Sequence, residues 1–366
     1  MTIGLMVFIM VLLAAVQAFM PYLVKATEVF GIYVPEPHYR QEFIGRLKKN
    51  YSRLVLAGGL TSVLFYALAV NLLHIPEGQG VIWGVGLQLG IVAFSMALYF
   101  KNHLTVKKEK QQQGWVLGKK EKVIVDLQFR NDLEMVSGIA FLLPMLITVG
   151  LIALTLTHYT QLPDKIPAHW GADGQADRFS EKTIFSSISM PVILLIMQVL
   201  FYFMNQARKT SGSKISATQK AQSRKRELAS RKYGSWLLFV TSISVTLLLG
   251  SLQLSLIYPE LGGALWVMAM TIGFAILVLA GTALYTVKIA QFASSPAAGQ
   301  SDSGIIDADN DRHWKAGIFY VNKEDPSIMV EKRFGIGWTV NLGNPKSWVM
   351  VFLPLAAILL IAFLVK

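Results

Sequence analysis

Cysteine is absent from the sequence, and charged side chains are scarce, since Asp, Glu, Lys and Arg together make up only 15% of it. Without cysteine the chain has no disulfide, no thiolate metal ligand and no cysteine nucleophile. A soluble domain carries about 25% charged residues, so this chain has too few to cover a water-exposed surface. With 53% apolar residues, the composition indicates a membrane protein.

Charge is also missing from eight long apolar runs, none of which contains Asp, Glu, Lys or Arg. A spanning helix needs roughly 20 such residues, and each run provides about that number. In the first run, Val16-x-Ala18 resembles a signal-peptidase site, but no Lys or Arg precedes it, and we predict a retained helix. The runs are Thr2–Val24, Leu54–Leu73, Val81–Phe100, Val136–Thr157, Ile184–Met204, Trp236–Tyr258, Ala264–Val287 and Trp348–Val365.

The basic residues predict how the spans are oriented. The segments after the first, third, fifth and seventh runs hold 30 of the 34 Lys and Arg residues. The opposite side holds only Lys165, Arg178, Lys182 and Lys366. Because basic residues are retained in the cytoplasm, we predict an all-α protein with eight transmembrane helices and both termini outside. Asp173 is then outside and Arg226 inside.

Five amides, Gln17, Asn71, Gln88, Gln198 and Gln253, lie within or near the apolar runs. They could line a substrate path, but hydrogen bonds between helices are the more common role of such groups. Ion-coupled carriers usually place ionisable side chains inside the membrane, and these runs have none. A passive or lipid-handling carrier remains an alternative.

The most basic segment, residues 205–235, carries nine Lys or Arg residues and one acidic residue, Glu227. Nucleic-acid binding would require interleaved aromatic residues or a recognisable motif, and neither is present. We therefore predict no nucleic-acid partner and interpret the segment as solvated and lying on anionic lipid.

A distinctive pattern begins at Leu162 in the loop before the fifth run: Leu-Pro-Asp-x-Ile-Pro-x-His-Trp-x-x-x-Gly-x-x-Asp. His169, Asp173 and Asp177 could converge on a metal, but the glycines break any single helical face. We predict an ordered turn cluster without a metal, with His169, Trp170, Asp173 and Asp177 as candidate ligand-binding residues. The pattern resembles a bacterial membrane family of unknown function that is shared with immunity proteins against the sporulation-delaying toxin.

The segment before the last run, residues 291–347, begins with a linker-like composition over residues 293–304. Asp307, Asp309 and Asp311 alternate as in a calcium loop, but the glycine and glutamate that an EF-hand requires are missing. We predict that these acids are solvated. Beyond them, three β-rich stretches predict a small cytoplasmic meander over residues 317–342.

A second resemblance lies in this segment. Its Asp-Arg-x-Trp from Asp311, Asn-x-x-Asp-Pro from Asn322 and Glu-Lys-Arg-Phe-Gly-Ile-Gly-Trp-Thr-x-Asn from Glu331 resemble an uncharacterised bacterial domain, often C-terminal to the first motif. The Phe-Gly-Ile of residues 30–32 also recurs at 334–336. We predict that a strand around residues 31–34 pairs with a strand of the meander.

These features divide the chain into residues 1–135, 136–204, 205–290 and 291–366. The resemblances imply a bacterial plasma-membrane protein that gives immunity to a membrane-active peptide or relays its presence inward. Its partners would be the lipid bilayer and an external peptide or a cytoplasmic regulator. An intramembrane enzyme is the least favoured class, because no nucleophile–base pair or phosphate loop is visible, and we predict neither enzymatic activity nor a cofactor.

Overall fold

The computed structural model describes residues 2–122, 124, 126, 128–171, 174–292 and 305–364. The chain is mostly helical, at 68%. Within the described residues, eight helices are long and apolar enough to cross a membrane, so the predicted spans are confirmed. The helices are α1 (Thr2–Leu23), α2 (Glu36–Tyr39), α3 (Glu42–Leu72), α4 (Glu77–Gln112), α5 (Leu142–Thr157), α6 (Ile184–Thr210), α7 (Lys220–Ile257), α8 (Ala264–Ala290) and α9 (Pro345–Leu364).

Three of these helices continue well beyond their apolar runs. Helix α3 begins at Glu42 rather than Leu54, α4 ends at Gln112 rather than Phe100, and α7 begins at Lys220 rather than Trp236. Lys, Arg, Glu and Gln have high helix propensity, so the backbone stays helical where the side chains become polar. The apolar runs therefore predicted the spans but not the ends of these helices.

The helices pack in two groups. In the first, α1, α3 and α4 contact one another. In the second, α5, α6 and α7 pack together, while α8 packs on α7 and α9 on α6. In the most apolar 18-residue stretch of each helix, only 6% is buried in α8 and in α9, against 39% in α7. Helix α7 is therefore the centre of the second group, and α8 and α9 lie at its edge.

Gln198 lies inside the second group and is fully buried. Its Nε2 is 2.8 Å from Thr148 Oγ1 on α5, 2.8 Å from Thr246 Oγ1 on α7 and 3.1 Å from the Pro144 carbonyl. A buried amide needs such partners because water is absent at this depth. The interpretation as an interhelical hydrogen bond is confirmed for Gln198.

Strands form only small pairs. The strands are β1 (Glu28–Val29), β2 (Ile32–Tyr33), β3 (Lys120–Lys122), β4 (Lys165–Trp170), β5 (Ala176–Glu181), β6 (Ile305–Asp307), β7 (Trp314–Lys315), β8 (Phe319–Tyr320), β9 (Met329–Glu331) and β10 (Trp338–Val340). Strands β1–β2, β4–β5, β7–β8 and β9–β10 pair antiparallel, and β3–β6 pair parallel.

Where the meander was predicted there are only small strand pairs, β7–β8 and β9–β10, which a single bridge between Tyr320 and Asn341 connects. The side chain of Asn341 binds the backbone of the segment between the two hairpins. Nδ2 of the buried Asn341 lies 2.8 Å from the Asn322 carbonyl and 3.0 Å from the Asp325 carbonyl. These backbone groups bond to an amide rather than to a neighbouring strand, so β8 and β9 do not form a continuous sheet.

The segments that share the Phe-Gly-Ile sequence meet on α4. The ring centroids of Phe30 and Phe334 lie 6.2 Å and 3.9 Å from that of Tyr99. At Gly31, whose φ is +77°, a Cβ would lie 2.7 Å from the Cα of Gly317. The predicted contact is therefore present, and it requires glycine on both sides.

The strand pairing predicted for this contact is wrong. Ile32 pairs with Val29 and Tyr33 with Glu28, within one hairpin. The amide of Tyr33 donates instead to a carboxylate oxygen of Asp311, 3.0 Å away. A local hairpin closes a much shorter loop than a pairing with a distant strand, and its entropic cost is smaller.

The interpretation of residues 205–235 as a solvated segment is also wrong for three of its four arginines. Arg208, Arg226 and Arg231 are only 8%, 7% and 0% exposed. Carboxylates make this possible for two of them, because Arg231 pairs with Glu227 at 3.0 Å and Arg226 pairs with Glu331 at 2.7 Å. Composition alone cannot distinguish such buried cations from exposed ones.

The acidic residues 307, 309 and 311 are likewise not merely solvated. Lys110 Nζ lies 2.6 Å from a carboxylate oxygen of both Asp309 and Asp311, and Arg333 also pairs with Asp311. Burial would raise the pKa of Asp311, but Arg333 and Lys110 outweigh it and lower that pKa. We call the set Lys25, Lys110, Arg226, Asp309, Asp311, Glu331 and Arg333 the ion-pair junction, where α1, α4, α7 and residues 305–342 meet.

Candidate functional site

The motif loop folds as a β-hairpin between α5 and α6. Strand β4 pairs with β5 from Lys165 opposite Glu181 to Trp170 opposite Ala176. The register shifts on either side of His169, as in a β-bulge, which re-aims side chains. Pro167, within β4, lacks an amide hydrogen, which suits an isolated two-stranded hairpin better than a central strand.

The bulge places His169 against Asp177. Nδ1 of the imidazole lies 2.6 Å from a carboxylate oxygen, and the two side chains are 52% and 55% exposed. A carboxylate on one ring nitrogen fixes the orientation of the imidazole, and Nε2 is then the nitrogen that would meet a ligand. The pair is therefore an oriented polar group on the surface of the hairpin.

The hairpin tip lies against the start of α8. Gly174 has a φ of +76°, and a Cβ there would lie 2.4 Å from the Ala264 carbonyl oxygen. Any other residue would be strained by this conformation and would also collide with the backbone of α8. The candidate ligand-binding residue Asp173 lies outside the described residues.

The hairpin base is fastened to the helix that follows it. The Lys182 amide donates to the Asp164 carbonyl at 2.9 Å, and its Nζ donates to the Leu162 carbonyl at 2.6 Å. Next to it, Thr183 and Ser186 form a reciprocal capping box at the start of α6. The base of the hairpin and the cap of α6 are therefore directly adjacent.

A cavity of about 340 Å³ lies between the hairpin and the helices beneath it. The hairpin contributes Ile166, Pro167 and Trp170, and α6 and α7 contribute most of the remaining wall. Among the described residues that line it, none is charged. The helical side includes Ser186, Ser187, Ser189, Met190, Leu252, Gln253 and Ser255.

Gln253 crosses between the helices beside this cavity. It is 1% exposed, and its Nε2 donates to Thr155 Oγ1 at 2.9 Å and to the Ser187 carbonyl at 3.0 Å. These bonds join α7 to α5 and α6, so the interhelical interpretation is confirmed for Gln253 as well. Gln253 therefore adds a hydrogen-bonded polar group to the helical side of the cavity.

The four predicted ligand-binding residues are thus not one cluster. His169 and Asp177 form the exposed pair, whereas Trp170 lines the cavity. Sequence reasoning did not select Ser186, Ser187 or Met190, because nothing in a single sequence shows that the hairpin folds over the start of α6. The capping pattern of Thr183 and Ser186 was the available signal, since it predicts a helix start at that point.

An uncharged cavity lined by an indole, aliphatic side chains and hydroxyls favours a neutral or amphipathic ligand. Its volume is at the lower end of the range for small-molecule sites, roughly 300–1,000 Å³.

Two family comparisons match parts of the chain. Residues 140–195 match a domain of unknown function (DUF1648), and residues 323–348 match a family of unknown function (DUF5808). No curated protein and no solved structure matches the chain. The first match covers α5, the hairpin and the beginning of α6, and the second covers β9, β10 and the beginning of α9. Both resemblances to uncharacterised families are thereby supported.

Proposed function

We propose that this chain recognises a membrane-active peptide at the outer hairpin and gives immunity to it or relays its presence inward. The observation that carries the proposal is the uncharged cavity of about 340 Å³ that Trp170 lines, on the same hairpin as the exposed His169–Asp177 pair. An amphipathic peptide has both parts that such a site accepts, an apolar side chain and polar backbone groups.

The distribution of basic residues supports the orientation that this function needs. With 30 of 34 Lys and Arg residues on one side, the hairpin faces outward and both termini are outside. The ion-pair junction and the strand pairs of residues 305–342 are then cytoplasmic. The proposed location is a bacterial plasma membrane, consistent with the two resemblances.

Helices α6 and α7 provide the route for a relay. Both line the cavity at one end, and at the other end they carry Arg208, Arg226, Glu227 and Arg231. Arg226 also pairs with Glu331 of β9. A peptide that moves the hairpin would act on the α6 cap and, through the packed helices, on the contact between α7 and β9.

The test replaces the cavity residue and measures protection. We expect Trp170→Ala to reduce peptide binding by about tenfold or more, because a truncated aromatic anchor typically costs 2 kcal/mol or more. Cells with the variant as their only copy should lose protection against envelope-active peptides. His169→Ala should weaken binding through loss of the exposed pair.

Phe179→Ala is the matched control, because Phe179 is an aromatic residue of the same hairpin that is 50% exposed and does not line the cavity. The Phe179→Ala variant should bind the peptide as the wild type does when both proteins are present in the membrane in equal amounts. Protection by the Trp170→Ala variant equal to wild type would refute recognition at this cavity, and saturable solute uptake into vesicles would favour the carrier alternative.

A further inference from the structure

Arg208, near the end of α6, is a buried cation that has no anionic partner among the residues that the structure describes. It is 8% exposed, and its Nε and Nη1 have no hydrogen-bond acceptor among the described residues. Within the same part of the chain, no carboxylate lies within ion-pair distance of it. Buried polar groups are nearly always hydrogen-bonded, and an exception in a native protein calls for a bound water or ion.

A second buried arginine, Arg231, contacts the same indole ring as Arg208. Arg231 donates to the Arg208 carbonyl at 2.9 Å, and both guanidinium groups lie on the ring of Trp338, at 5.8 Å for Arg208 and 5.4 Å for Arg231. Glu227 pairs with Arg231. Glu227 therefore compensates Arg231 and leaves Arg208 unpaired, and the indole supplies an attractive face but no acceptor for an N–H group.

Burying a guanidinium group without a counterion destabilises the folded protein. An arginine cannot lose its proton, and the effective cost of burying an unpaired charge is several kcal/mol. An anion at the exposed edge of Arg208 would remove most of that cost. Guanidinium donors form strong, charge-assisted hydrogen bonds with phosphate oxygens.

The depth of Arg208 indicates which phosphate is available. The apolar run of α6 ends at Met204, so at 1.5 Å per residue Arg208 lies about 6 Å beyond it, the level of lipid headgroups. Gly234 lies just before the apolar run of α7, and Tyr285 lies near the end of the run of α8. A Cβ at Gly234 would be 2.6 Å from Arg208 Nη1 and 3.2 Å from the ring of Tyr285.

Lipid can approach this place along α8, which packs on α7 and is otherwise mostly exposed. Tyr285, beside Arg208, is buried, but its neighbours Leu284 and Val287 are 64% and 54% exposed. A lipid on this face of α8 would reach Arg208 at its small exposed edge. Basic pockets between transmembrane helices on the cytoplasmic side bind anionic lipid headgroups.

We propose that Arg208 binds the headgroup phosphate of an anionic phospholipid in the crevice formed by α6, α7 and α8. The lipid supplies the negative charge that the protein does not place beside Arg208. This site is separate from the outer cavity, and it goes beyond the proposed recognition of a peptide.

The experiment measures how lipid changes the thermal unfolding midpoint of the full chain in detergent. Phosphatidylglycerol should raise the midpoint of the wild type by several degrees, since a ligand that binds only the folded state stabilises it. Phosphatidylcholine, which has no net charge, and inorganic phosphate should have little effect. Native mass spectrometry should show phosphatidylglycerol retained in preference to phosphatidylcholine.

Arg208→Met removes the charge and keeps a long apolar side chain, so it should abolish the phosphatidylglycerol increment even if the lipid-free variant is as stable as the wild type. Lys209→Gln is the matched control, because it removes one positive charge from the exposed adjacent residue and should leave the increment intact.

Three results would overturn the proposal. Phosphatidylcholine could stabilise the wild type as much as phosphatidylglycerol does, inorganic phosphate could reproduce the whole increment, or Arg208→Met could retain it. The first two comparisons use the wild type alone, so the proposal remains testable even if Arg208→Met fails to fold.

Discussion

Replacing Arg231 with methionine is expected to destabilise the protein by about 3–5 kcal/mol, the cost of breaking a buried ion pair. Arg231 is fully buried and donates to the carbonyls of Arg208, Ser211 and Gly212 at 2.9–3.1 Å, besides its pair with Glu227. The methionine would leave these carbonyls at the end of α6 without a donor and Glu227 without a counterion. The thermal unfolding midpoint in detergent measures the loss.

Two further variants distinguish the effect of leaving Glu227 unpaired from the effect of removing any arginine of α7. Adding Glu227→Gln to Arg231→Met removes the unpaired charge and should recover part of the loss, since contacting residues are not additive. Arg224→Met is the matched control on the same helix, because Arg224 pairs with Asp126 and Asp132 at the surface. Surface pairs contribute little. A loss for Arg231→Met as small as that of Arg224→Met would contradict the structural role.

Glu331→Gln is expected to lower the thermal unfolding midpoint strongly at neutral pH. This loss should disappear in acid. Oε2 of Glu331 lies 2.7 Å from Lys25 Nζ, and Oε1 lies 2.7 Å from Arg226 Nη1. Burial alone would raise the pKa of Glu331, but Arg226 and Lys25 outweigh it and hold the pKa at about 2, against an ordinary value of 4.5. The ionised form is therefore favoured in the folded state.

This pKa shift sets the pH window. Since the folded pKa is the lower one, its stabilisation is fully present above about pH 4.5 and is lost as the pH falls toward about 2. A shift of this size corresponds to a free energy on the order of 3 kcal/mol. The difference in thermal midpoint between wild type and Glu331→Gln should be large at pH 7 and shrink across this window. Glu324→Gln, at an exposed glutamate, should show little difference at any pH.

A midpoint difference between wild type and Glu331→Gln that stayed constant from pH 7 to pH 2 would contradict the role of Glu331. It would show that the charge of the carboxylate does not hold α1, α7 and β9 together.

The spans could be predicted from the sequence because the bilayer imposes one simple requirement, about 20 apolar residues without charge. The sequence did not predict how far the helices continue beyond these apolar runs. Helix α7 begins at Lys220, in a stretch that composition described only as basic. Helix propensity was the signal for the extension, and it is a weaker one than hydropathy.

Burial of the arginines could not be read from the sequence, because the partner of each lies elsewhere in the chain or in its tertiary packing. Arg226 is paired with Glu331, far along the chain. Only the pair Glu227–Arg231 had a local signal, since residues four apart on a helix face one another. Recognising that spacing would have predicted the ion pair but not its burial under Trp338.

The candidate site was predicted in part. The motif identified His169, Trp170 and Asp177, and the structure places all three on the hairpin. Their division into an exposed pair and a cavity wall depends on the bulge at His169, and strand register of this kind follows from turn geometry rather than from residue types. The helical wall of the cavity depends on tertiary packing and had no signal of its own.

The central claim is that the hairpin is outside and the ion-pair junction inside, which cysteine labelling tests most directly. The natural chain has no cysteine, so each reactive thiol can be introduced singly at an exposed residue. Phe179→Cys on the hairpin should react with an impermeant maleimide in intact cells. Lys225→Cys on α7, beside the junction, should react only after the membrane is permeabilised. Equal labelling of the two variants in intact cells, or labelling of Lys225→Cys alone, would contradict the account.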